Sequence, residues 1–260
     1  MKSENGHPSV NCSECTYGTG LDFDFTMAFQ PIVNASTREV FAQEALVRGL
    51  NNESAVRVFD NVNATNLYRF DQSCRVKAIK LAAELGIASY LSINFMPNAI
   101  YRPELCIRTT IASAEKYGFP AQRIIFEFTE GEQVKNYDFL RDIIWHYRQL
   151  GFKTAIDDFG AGYSGLNLLA EIQTDIIKLD MALIRDIDQD KNRQAIIKGT
   201  VSICRELSIM VIAEGVETYG ELCTLQSFGI ELFQGYYFAK PAFQSLAAIP
   251  PRVYSNPAIQ

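Results

Sequence analysis

Apolar and polar positions follow two alternating periods along this chain. Residues 23–33 show the two-residue alternation of a strand and end in Phe29-Gln30-Pro31-Ile32-Val33. The turn cluster Asn34-Ala35-Ser36-Thr37 separates them from a second extended segment at 39–47, and so short a connection predicts an antiparallel hairpin. A short helical run follows at 55–59, within a polar stretch. The period then lengthens: Val76, Ile79, Leu81 and Leu85 fall at helical spacing within residues 70–85, and Gly86 stops the run. From there the two periods take turns. Strands are predicted at 90–95, 123–130, 152–156, 176–180, 210–214 and 231–238, with helices at 104–117, 137–150, 166–170, 191–207 and 218–228 between them.

Regular alternation with no break in composition argues for one α/β domain. The number of strands, their buried character and the chain length suit a modified TIM (β/α)8 barrel, a fold of roughly 250 residues. The opening hairpin departs from the regular barrel. A doubly wound open sheet is the alternative, although no GxGxxG follows an early strand. The expected organisation is a flexible polar leader at 1–20, the barrel at 21–245 and a C-terminal tail at 246–260.

At 48% hydrophobic and 21% charged, the 260 residues can form a sizeable core. The net charge of -6 argues against a DNA or RNA polymer as partner, which would need a basic face, but leaves room for a small phosphorylated ligand. Cys74, Cys106, Cys204 and Cys223 fall in or beside helical segments, as reduced and packed thiols would. Cys12 and Cys15 form a lone CxxC near His7; structural zinc normally takes four protein ligands, so the leader is read as mobile chain rather than a zinc site. The first residues lack the apolar core of a secretory signal. No apolar run approaches the roughly 20 residues of a membrane span, so a cytoplasmic location is expected.

The stretch 154–165 contains the sharpest chemistry. An apolar run ends in Asp157 and Asp158, followed by Gly160, Gly162 and Gly165. Neighbouring strand residues point to opposite faces, so two acids converge only where the strand is breaking into a loop. Glycine permits that break. An acidic turn capping the next helix is the plainer reading. The pattern recurs, however: successive strands end in Glu44, Asn94, Glu127, Lys178, Glu214 and Gln234. Each alone has an ordinary explanation as an edge residue, a turn former or a cap. In a barrel they would form one cluster on the face where catalysis occurs. Oxygen donors with one amide favour Mg2+ or Mn2+ over zinc or iron. The surplus of carboxylates over the needs of one ion suggests two ions. His146 sits in a helix and is read as structural.

These residues, taken in order, resemble the EAL-domain family of cyclic di-GMP phosphodiesterases. The match runs through Phe29-Gln30-Pro31-Ile32, the signature Glu44-Ala45-Leu46 with Val47-Arg48, Asn94 and Glu127-Phe128-Thr129-Glu130. It continues through Asp157-Asp158-Phe159-Gly160, Lys178-Leu179-Asp180, Ala213-Glu214-Gly215-Val216-Glu217-Thr218 and Gln234-Gly235-Tyr236-Tyr237-Phe238. The resemblance implies a barrel whose first strand is antiparallel and hydrolysis of cyclic di-GMP to linear 5'-pGpG. It implies Glu44, Asn94, Glu127 and Asp157 around one metal, with Asp157 and Asp158 around a second and Glu214 as a further candidate there. Lys178 and Glu214 would orient the attacking water, and Glu130 would hold the loop after Asp158. Gln30, Leu46, Arg48, Glu217, Gln234 and Phe238 would contact the dinucleotide. A homodimer and an upstream sensory domain are further implications, and Leu166-Asn167-Leu168-Leu169 serves either an interface or the core. Ala161 and Gly165 depart from the usual loop, where the family has Thr and Ser. The alternatives are a catalytically silent receptor that signals through a protein partner, or an interaction module that binds no nucleotide.

Overall fold

The computed structural model describes residues 21–97, 100, 102–129, 137–162 and 165–254. Expectations for the leader, including His7, Cys12 and Cys15, and for Glu130 lie outside the described residues. Eight strands form a closed ring: β1 (Thr26–Asn34), β2 (Glu39–Arg48), β3 (Tyr90–Asn94), β4 (Ile124–Thr129), β5 (Lys153–Phe159), β6 (Ile176–Leu179), β7 (Met210–Ala213) and β8 (Leu232–Phe233). From β2 to β8 each strand pairs in parallel with the next. β1 closes the ring, antiparallel to both β2 and β8. The fold is therefore the modified (β/α)8 barrel with its inverted first strand, and ring closure excludes the open sheet.

The helices flanking the strands in the chain are α1 (Ala55–Phe59), α2 (Leu67–Glu84), α3 (Pro103–Cys106), α4 (Arg108–Tyr117), α5 (Tyr137–Gln149), α6 (Gly165–Glu171), α7 (Met181–Ile184), α8 (Lys191–Glu206) and α9 (Tyr219–Ser227). Their boundaries follow local chemistry. Asp190 caps α8 by accepting from Asn192 and Arg193 N–H, which satisfies two of the orphan amides at a helix start. Thr218 and Glu221 form a reciprocal capping box at α9.

Three expectations change. The single helix 104–117 divides at Ile107, with Pro103 opening α3 at the position where a missing N–H costs nothing. The final strand, expected within 231–238, is confined to Leu232–Phe233. There Gly235 brings the chain so close to the β7 loop that a Cβ would meet Val216 O at 2.1 Å. The tail, unread in sequence, contributes β9 (Ala242–Phe243), which pairs with Ala28 and Phe29 of β1. β9 and α7 are both too short to show a period.

Two apolar shells hold the barrel. The larger lies mostly between strands and helices and includes Phe126, Phe128, Ile156, Ile177 and Leu179. The smaller, built on Ile32, Ala42, Ile125, Ala155, Ile176, Ile212 and Leu232, draws one residue from each of seven strands. Each buried Ile, Leu or Phe contributes roughly 1.5–3 kcal/mol. Cys74, Cys106 and Cys204 are buried free thiols, Cys223 is a partly buried one, and none is part of a disulfide. Leu168 and Leu169 are buried in the core, whereas Leu166 is exposed. Among the described residues, no helix is long and apolar enough to cross a membrane.

Candidate metal centre at the barrel mouth

The smaller apolar shell fixes the site. Two residues beyond Ala42, Ile125, Ala155, Ile176, Ile212 and Leu232 stand Glu44, Glu127, Asp157, Lys178, Glu214 and Gln234. A strand repeats its facing every two residues, so each polar group lies directly above an apolar one. β3 adds Ser92 and Asn94 on the face of Tyr90. Gln30 comes from β1, which runs the other way and pairs with Glu44. Glu214 and Gln234 lie just beyond their strands, yet their amides still bond to Leu179 O and Ala213 O on the neighbouring strands.

Asp158 has the wrong parity for this ladder. The register of β5 against β6 slips between Ile156 and Phe159, and Asp158 takes a left-handed φ of 54°. The slip is a bulge, the irregularity that re-aims side chains next to functional sites. Sequence reasoning expected the strand to have ended here. Instead β5 continues to Phe159 with the bulge inside it, and both acids face one cleft.

Lys178 occupies the centre. Its Nζ lies 2.6 Å from Glu214 Oε1, 2.9 Å from Glu127 Oε2, 3.0 Å from Asp157 Oδ1 and 3.6 Å from Glu44 Oε2. Burial alone would lower the ammonium, but Asp157, Glu127, Glu214 and Glu44 override it and hold Lys178 well above its ordinary range. The acids outnumber it. Burial pushes Glu127 up to about 8, with Lys178 opposing and Glu44 and Asp157 adding to the rise. Burial and then the Asp157 charge lift Asp158 to about 6. Glu214 is raised well above the carboxylate range, first by burial.

Hydrogen bonds orient the ring. Asn94 Nδ2 donates to Glu44 Oε1 at 3.1 Å and Gln234 Nε2 to Glu44 Oε2 at 2.6 Å. Ser92 Oγ donates to Glu127 Oε1 in a short bond. Ser92 was missed in the sequence, although it stands on the same face two residues before Asn94.

The donor set fits a divalent cation. Carboxylate oxygens of Glu44, Glu127 and Asp157 lie within 4.8 Å of one another, as do those of Asp157, Asp158 and Glu214. Asp157 belongs to both groups. Among the described residues its buried Oδ1 has no hydrogen-bond partner, although Lys178 stands at ion-pair distance. An all-oxygen set with spare lone pairs suits hard ions.

A cleft of about 480 Å3 opens above these groups. Glu44, Asn94, Asp157 and Asp158 line it with Leu46 and Arg48, and Ala55, Phe59, Phe70 and Met96 supply an apolar wall. The other residues expected at the ligand do not line it. Gln30 donates to Ala239 O at 3.2 Å. Phe238 is buried against Phe233, Tyr237 and Tyr254. Glu217, in the loop after β7, is paired with Arg185 through two bonds of 2.6 and 3.1 Å. Buried Glu221 fixes that loop, accepting from Asp186, Glu217 and Thr218 N–H at 3.0, 2.8 and 2.9 Å.

Fold and site together define a barrel protein with a two-cluster carboxylate centre of the metal-ion type. The EAL domain profile matches residues 22–241, and the chain belongs to that family. A standalone versatile EAL protein from Vibrio cholerae O395, solved in its c-di-GMP bound form, is 58% identical with a TM-score of 0.88, covering 91% of this chain and 100% of that one. The manganese/cy-diGMP complex of Klebsiella pneumoniae BlrP1 is 39% identical with a TM-score of 0.82, over 86% of this chain and 58% of BlrP1. Among curated relatives, the blue light- and temperature-regulated antirepressor BluF of Escherichia coli K12 is 34% identical over 85% of this chain and 55% of its own length. Cyclic di-GMP phosphodiesterase PdeR of the same organism is 40% identical over 44% of this chain and 17% of its own length. The chain thus spans about half or less of these two relatives.

Proposed function

We propose that this protein is a metal-dependent phosphodiesterase that hydrolyses cyclic di-GMP to linear 5'-pGpG. The observation that carries the reading is the pair of carboxylate clusters sharing Asp157, with every acid of the set in place. Glu44, Asn94, Glu127 and Asp157 would hold one Mg2+ or Mn2+ ion, and Asp157, Asp158 and Glu214 a second. Such ions supply Lewis-acid polarisation of the phosphate and a more acidic water.

The remaining roles belong to the chain. Arg48, on the rim of the cleft, pairs with a phosphate oxygen through charge-assisted hydrogen bonds. Lys178 and Glu214, 2.6 Å apart, orient the attacking water. The water oxygen bonds to phosphorus as the bond from phosphorus to the ribose 3' oxygen breaks. The 3' oxygen leaves with a proton, and the phosphate stays on the 5' side. Gln30, Leu46, Glu217, Gln234 and Phe238 shape the dinucleotide site, Leu46 by direct contact and Gln234 through Glu44. Glu130 is assigned to holding the loop after Asp158. We place the reaction in the cytoplasm, in a homodimer joined to or controlled by a sensory partner.

The antirepressor relative favours a second reading, a silent receptor that binds the dinucleotide and acts on a protein. The intact acid set supports the enzyme over it. Purified protein with Mg2+ or Mn2+ should convert cyclic di-GMP to 5'-pGpG, followed by chromatography, and Glu44→Ala should abolish conversion. Wild-type protein that binds the dinucleotide without cleaving it would establish the receptor.

A further inference from the structure

We propose that the buried Asp71–Arg75 pair on α2 is a positioning device that sets Asn94 at the metal cluster. The inference rests on the metal reading above and names residues outside the ligand set. Asp71 and Arg75 lie one helical turn apart and are 2% and 0% exposed. Arg75 Nη2 donates to Asp71 Oδ2 in a short bond. Its Nη1 donates to Thr110 Oγ1 on α4 at 3.3 Å, and the guanidinium faces the Phe126 ring at 6.0 Å. Arg75 is therefore held from three sides.

The second carboxylate oxygen leaves the pair. Asp71 Oδ1 accepts from Met96 N–H at 3.0 Å, and Met96 stands two residues after Asn94. One residue earlier, Phe95 N–H donates to Glu127 O at 2.8 Å. Both amides following Asn94 are thus tied, one to the β4 backbone and one to the α2 carboxylate. With the backbone fixed on that side, the Asn94 amide meets Glu44 at 3.1 Å.

Energetics separate this role from plain stabilisation. Withdrawing both charges from water is costly, and an apolar pair of similar volume is often as stable or more so. Apolar side chains, however, cannot accept from the Met96 amide. Arg75 acts through Asp71: by holding Oδ2 it leaves Oδ1 aimed at the Met96 amide. Burial alone would lower the guanidinium, and the neighbouring Asp71 charge reverses that and raises it. Supporting partners of this kind commonly change metal affinity about 10–100-fold.

The test uses two double variants of the whole chain. Asp71→Leu/Arg75→Met removes charge and acceptor together. Asp71→Asn/Arg75→Met restores an acceptor without charge and serves as the folding control. Mn2+ affinity is measured by calorimetry on nucleotide-free protein, with hydrogen exchange of the Met96 amide and thermal melting alongside. The first variant should bind Mn2+ about 10–100-fold more weakly, with faster Met96 exchange and a melting temperature near wild type. The second should recover most of the affinity and protection. Wild-type affinity in the first variant despite faster exchange overturns the proposal. Affinity that falls only in step with melting temperature, with no recovery in the second variant, also overturns it. Absence of Mn2+ binding by wild type overturns the metal reading itself and the inference with it.

Discussion

Gln234 and Glu44, 190 residues apart in sequence, meet at the barrel seam, where Gln234 Nε2 donates to Glu44 Oε2 at 2.6 Å. Asn94 takes the other oxygen of the same carboxylate. A side chain expected at the nucleotide is thus committed to orienting an acid. Gln234→Ala should raise the half-saturating Mg2+ concentration roughly 10-fold, as loss of an outer partner does. Nucleotide affinity should move far less. Metal titration of turnover, set beside a nucleotide binding isotherm, checks this; a change confined to the isotherm would return Gln234 to direct ligand contact.

Lys178→Met should destabilise the metal-free protein. It removes the cation within 4 Å of four carboxylate oxygens and leaves buried acids opposing one another. Breaking such a buried network costs about 3–5 kcal/mol. The loss should be greatest near pH 8 and smaller near pH 5, where acids with raised pKa values take up protons. Thermal melts in chelator at the two pH values measure it, and a uniform loss would contradict the charge argument.

The pH dependence of the wild type has a definite sign. Asp158 rises from an ordinary value of 3.8 to about 6, and Glu127 from 4.5 to about 8. Between these limits the folded state holds more protons than the unfolded state, so these groups lower stability as pH rises. In chelator, Asp158→Asn should therefore show a shallower fall in melting temperature between about pH 4 and pH 6 than wild type. Metal binding needs the deprotonated carboxylates, so Mn2+ should stabilise more as pH rises across the window. Calorimetric scans with and without Mn2+ test both statements.

Gly215→Ala should cost about 1–3 kcal/mol and most of the activity. Gly215 has φ +67°, and an added Cβ would sit 2.3 Å from Met181 Cβ. A strained left-handed residue next to Glu214 would shift that acid. Urea unfolding and the assay for 5'-pGpG read the two effects; unchanged values in both would sink the prediction.

Much of the site was legible because it follows the strand period. Ile125 and Glu127, or Ile176 and Lys178, stand two apart on one strand, so alternation alone places the charged member above the apolar layer. Asp158 broke that rule, and its convergence came from a bulge that sequence marks only by adjacent acids before glycine. Gln30 and Phe238 fit the family pattern, yet their surroundings are set by β9 and the turn after Gly235, which show no period. Asp71 and Arg75 were not singled out in the sequence, since nothing local reveals that the Met96 amide meets Asp71.

Lys178 also gives the acid cluster a resident counter-ion. A centre built from acids alone would hold the chain open until a metal arrived and make folding a report of metal supply. With an ammonium already anchored at its heart, the barrel can be complete first and loaded afterwards. Chelation would then silence the protein and resupply would revive it, each without the molecule passing through an unfolded form.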